Sequence, residues 1–83
     1  MNKKEKYYNY VVEDIVKNTE IDYDQETIKS PFFPQFIFFK YYPFSSNILS
    51  MFSNHVRKVY GVHSEEIDII WVLYKKKIQS LIK

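Results

Sequence analysis

His55 and His63 are the only histidines in this 83-residue chain, and cysteine is absent. The two lie on either side of Gly61 without the i, i+4 spacing or the thiolate company of a zinc site. His63 runs into Ser64, Glu65 and Glu66, the residue types of a nucleophile and its base. Neighbours along a turn and a helix start, however, do not converge on one reacting atom. Glu20, Asp22, Asp24 and Glu26 alternate like the ligands of a calcium loop, but the glycine at the sixth position and the closing glutamate are out of register. A single glycine excludes a phosphate-cradling loop. The expectation is a non-enzymatic chain with no catalytic residue, cofactor or metal.

The cations offer a second chemistry. Arg57 and Lys58 precede Gly61, and Lys75, Lys76 and Lys77 follow it, so a helical hairpin could gather them into an anion or nucleic-acid surface. HVRKVYGVHSEEIDII resembles a helix-turn-helix, yet the end that should face bases and phosphates carries Glu65, Glu66 and Asp68, which repel the backbone. Arg57 also occupies the packed position four before the glycine, where a small side chain is expected. Net charge +2 and pI 8.8 add little. The wealth of Lys, Asn, Ile, Tyr and Phe, with no alanine, is what an AT-rich genome yields, including that of a phage or other virus. A small basic nucleic-acid-binding protein is the alternative expectation rather than the first.

These residues need elements to position them. Tyr8, Val11, Val12, Ile15 and Val16 recur at three- and four-residue spacing and predict an amphipathic helix from about Lys4 to Asn18. Its opening lysines oppose the helix dipole and should fray the first turn. TEIDYDQETIKS alternates apolar and polar residues around Asp24-Gln25-Glu26, which predicts a short hairpin. Ser45 or Ser46 can cap a helix carrying Ile48, Leu49, Phe52, Val56, Val59 and Tyr60 on one face. Gly61 closes it, and Ser64 is the expected cap of a last helix. There Ile67, Ile70, Trp71, Tyr74, Ile78 and Leu81 share a face, while Ile69, Val72 and Leu73 add apolar surface elsewhere. The predicted fold is α+β: an N-terminal helix, a hairpin or small sheet over about 20–42, and a helical hairpin over about 46–60 and 65–82, in one small domain.

Between hairpin and helices stands PFFPQFIFFKYYPF, which holds half of the chain's aromatic residues, eight of sixteen. Read as a strand, QFIFFKYY is apolar on both faces and wants cover on both. Phe36, Phe38, Phe39, Tyr41 and Tyr42 are the candidate partner surface if one face stays open. No apolar run reaches the roughly 18 residues of a membrane span. Glu13 and Asp14 interrupt what would be the apolar core of a signal peptide. The expected protein is intracellular or virion-associated and works through protein–protein contact or self-association.

Overall fold

The computed structural model describes residues 3–42 and 46–82. Helix α1 (Lys3–Lys17) leads into a three-stranded antiparallel sheet of β1 (Glu20–Asp22), β2 (Thr27–Lys29) and β3 (Ile37–Phe38), followed by α2 (Ser46–Tyr60) and α3 (Ser64–Leu81). The predicted α+β arrangement with its helical hairpin is what forms.

Helix α1 ends where side chains take over its last carbonyls. Asn18 Nδ2 donates to Asp14 O at 2.9 Å and Thr19 Oγ1 to Ile15 O at 2.7 Å. Its stripe is buried as the spacing requires, with Val11 and Ile15 wholly enclosed. Lys3, Lys4 and Tyr7 share one cleft with His63 and Glu66, and Val12 and Glu13 share another with Leu73 and Lys77. Helices α1 and α3 therefore run side by side in the same direction. The lysines that oppose α1's own dipole are placed beside the acidic first turn of α3, a compensation invisible to a helix considered alone.

Gly61 closes α2 at φ +67°, its N–H reaching Arg57 O at 3.1 Å while Val62 N–H reaches Val56 O at 3.2 Å. Two details differ from expectation. The cap of α3 is His63, extended at φ −74° and ψ 150° with no side-chain cap bond, and Ser64 is the first helical residue. Val59, assigned to the inner face of α2, is 58% exposed. The last turn of α2 instead turns Tyr60 inward, where its hydroxyl donates to Asp14 Oδ2 at 2.6 Å and its carbonyl accepts from Tyr7 OH at 2.7 Å. Pro43, Phe44 and the candidate cap Ser45 lie outside the described residues, and Ser46 opens α2.

The sheet sits with one face on the helices. Registers pair Ile21 with Ile28 and Ile28 with Ile37, so three isoleucines form a row across the inner face. Ile28, in the central strand, is fully buried. Asp22 Oδ1 accepts from Gln25 N–H at 3.0 Å in the β1–β2 turn, and Glu26 ends that turn at φ 55° without being glycine. The long two-faced strand read from QFIFFKYY does not form. Only Ile37 and Phe38 pair with β2, after which Tyr41 N–H and Tyr42 N–H both turn back to Phe38 O, at 3.0 and 3.2 Å. Both-face cover was the wrong expectation because the chain leaves the sheet before it can use it.

Candidate interaction surface

Strand periodicity sorts the sheet's side chains into two populations. Against the inner isoleucine row stand Glu20, Asp22, Thr27, Lys29, Phe36 and Phe38, all directed outward. Phe36 and Phe38 are 52% and 54% exposed. Tyr41, 56% exposed, meets the Phe38 ring edge-on at 6.5 Å between centroids. Lysines stand over the rings: Lys29 Nζ is 5.8 Å from the centre of Phe36, and Lys40 Nζ 5.1 Å from that of Tyr41. Phe39 lies at the base, partly buried, with its ring edge-on to Tyr23 at 6.1 Å. Tyr23 hydroxyl in turn donates to Leu81 O at 2.9 Å, tying the hairpin to the end of α3. Of the candidate residues, Phe36, Phe38 and Tyr41 are exposed, with Phe38 and Tyr41 in ring contact, while Phe39 packs partly buried against the core.

Tyr42 is not part of that surface. It is 1% exposed, and its hydroxyl lies 2.5 Å from Ser30 Oγ and also bonds the hydroxyl of Tyr74, which is 3.2 Å from Ser30 Oγ. Three buried hydroxyls satisfy one another inside an apolar shell, the condition under which burying them is tolerable. Burial raises the Tyr42 phenol far above its ordinary value, reinforced by the neighbouring Tyr74, and raises Tyr74 as well. Phe32, Phe52, Trp71 and Tyr74 pack beside it, with the Phe52 ring 4.9 Å from Trp71 and 5.3 Å from Tyr74. The aromatic segment is therefore divided: Phe32 and Tyr42 anchor it in the core while Phe36, Phe38 and Tyr41 project.

The cationic candidates do not converge. Arg57 and Lys58 occupy the last turn of α2. Lys75 stands over Trp71 at 5.8 Å, eleven residues past Ser64, roughly 16 Å along the helix axis from the turn that Arg57 and Lys58 adjoin. Lys76 and Lys77 face the groove between α1 and α3, where Glu13 is a neighbour. His55 packs between the rings of Phe32 and Tyr60, each 5.9 Å away. Burial lowers its basicity and Asp14 works against that shift.

Thr27 and Lys29 belong to the outer face, yet only the alternation in EID and TIK hinted at their direction. Their cross-strand neighbours depend on a register set by a turn without an Asn-Gly or Asp-Gly signature. Among the described residues no group of three or more metal-ligating side chains comes together, and no helix is long and apolar enough to cross a membrane. Comparisons with protein-family models, with curated proteins and with solved structures found no match to this chain.

Proposed function

We propose that this chain is a small, non-enzymatic interaction protein that docks a protein partner through Phe36, Phe38 and Tyr41. One observation carries the reading: three rings within six residues of chain are each more than half exposed, although the fold has a core that takes in Phe32, Tyr42, Phe52, Trp71 and Tyr74. Aromatic rings left in water beside one another are the usual anchors of binding hot spots. Each has on the order of 100 Å² still to bury, worth about 2–3 kcal/mol per ring when covered. A patch of roughly 300 Å² is below the ~800 Å² per partner of a standard stable interface, so it suits a transient contact.

The nucleic-acid alternative finds less support, because its five cations fall on separate faces and the acidic start of α3 adjoins two of them. Selection of peptides from a random library against the folded chain tests the docking reading. The selected peptides should shift the backbone amide resonances of residues 36–41 and lose at least tenfold in affinity against Phe36→Ser/Phe38→Ser, whose circular dichroism should match the parent. Binders that survive the double substitution would remove the reading. Sedimentation velocity over a range of concentrations tells whether the partner is a second copy.

A further inference from the structure

The outer face of the sheet is ordered in columns, with carboxylates on β1, mixed residues on β2, and rings on β3 and the residue before it. Register aligns Glu20 with Lys29, and Lys29 Nζ lies over Phe36 at 5.8 Å. That row reads carboxylate, cation, ring. The adjacent row aligns Asp22 with Thr27 and Thr27 with Phe38, so it reads carboxylate, hydroxyl, ring, with no lysine between.

Resting on the docking role of this face, we infer that the sheet takes a cationic side chain from its partner, seated over Thr27 between Asp22 and Phe38. Strands in a sheet are about 4.8 Å apart, so a group above β2 is within ~5–6 Å of both flanking columns. That is the range in which an ammonium or guanidinium gains from a ring face and a carboxylate together. In the neighbouring row the chain's own Lys29 already stands over the ring of Phe36. Asp22 gives one oxygen to Gln25 N–H. Beside that row, Glu20, Asp22 and Asp24 line an open cleft of about 460 Å³ together with Ile21, Tyr23 and Phe36. An anionic partner segment would meet three carboxylates there.

Main-chain pairing is a poor alternative source of selectivity. Phe39 N–H bonds Glu26 O at 2.9 Å, which puts the hydrogen-bonding groups of Ile37 and Phe39 on the β2 side and those of Phe38 on the free edge. The Phe38 carbonyl is already taken by Tyr41 and Tyr42. The free edge is therefore blunted, and side chains must decide what docks.

Three nonapeptides of equal leucine content, carrying lysine, glutamine or glutamate at the remaining positions, test this by titration against the ¹⁵N-labelled chain. The amides of Thr27 and Phe38 are read at low and at physiological salt. The lysine peptide should bind at least tenfold more tightly than the glutamate peptide, and salt should narrow the gap. Thr27→Lys fills the row from within and should erase most of that preference, Asp22→Asn should reduce it severalfold, and Thr27→Gln should keep it. Equal binding by all three peptides, abolished by Phe38→Ser, overturns the cation inference and leaves docking intact. A preference that persists in both Thr27→Lys and Asp22→Asn also overturns it. If no peptide moves these amides, the inference and the docking role fall together.

Discussion

At the scale of single residues, Phe38 and Tyr42 share a segment and four positions of sequence separate them, yet they do opposite work. Phe38→Ala removes a ring more than half exposed and should cost less than about 1 kcal/mol. Tyr42→Ala empties a fully enclosed site and should cost roughly 3–5 kcal/mol, enough to unfold a chain this small. Tyr42→Phe separates shape from hydroxyl: Ser30 and Tyr74 keep their mutual bond, so the expected loss in denaturant unfolding is about 1 kcal/mol. Raised phenol pKa values mean the folded state holds those protons more tightly than the unfolded chain does. Their contribution is complete below pH 10, the ordinary tyrosine value, and declines as pH climbs above it. Stability measured from pH 8 to 11 should therefore bend downward near 10, and the bend should flatten in Tyr42→Phe/Tyr74→Phe. His55 works in the other direction, because its lowered pKa favours the neutral ring in the fold. Stability should be level above about pH 6.5 and fall as the ring is forced to charge below it, a decline that His55→Gln should lessen.

Among the elements, the helices and the β1–β2 hairpin were legible in the sequence and the third strand was not. Helix boundaries followed from apolar spacing, the single glycine and the charge order of α3, signals contained within each segment. Gly61 shows how local that information is. A methyl group there would meet nothing within 4 Å, so the only obstacle to alanine is φ +67°. Gly61→Ala should cost about 1 kcal/mol with no change in packing, seen as a lower midpoint and an unchanged spectrum. Glu26 is the converse, a side chain at φ 55° in the hairpin turn, and Glu26→Gly should gain about 0.5–1 kcal/mol. Strand β3 resisted reading because its length depends on where Phe38 O finds its partners. The apolar pattern of QFIFFKYY would fit a buried strand equally well. What stops the strand after Phe38 is the return of Tyr42 to Ser30 and Tyr74, a contact made across 12 and 32 positions. The same closure exposes Phe36, Phe38 and Tyr41, so the candidate surface was named by composition while its open side was set by tertiary contacts. Val59 makes the point in reverse, as helical spacing alone placed it inside.

For the whole molecule, the question is whether sheet and helices unfold together. Three kinds of contact join them: Ile28 enters the common core, Ser30 bonds Tyr42 and Tyr74, and Tyr23 reaches Leu81 O. Helix α3 is the hub, since α1 and α2 both pack on it and Trp71 lies at its junction with Phe52. A three-stranded sheet with strands of three, three and two residues has too little apolar surface to persist without that support. It should therefore have no transition of its own. Trp71 fluorescence, which reports the α2–α3 junction, and far-ultraviolet circular dichroism should trace the same thermal curve. Ile28→Val deletes one methyl group from a site in the sheet, far in sequence from either probe's main source. The expected loss is about 0.5–1.5 kcal/mol, or roughly 4–8 °C per kcal/mol in a domain of this size. Both probes should move by the same amount. If the dichroism curve shifts and Trp71 does not, the sheet is an independent unit, and the rings of its outer face are held by the hairpin alone rather than by the helical core.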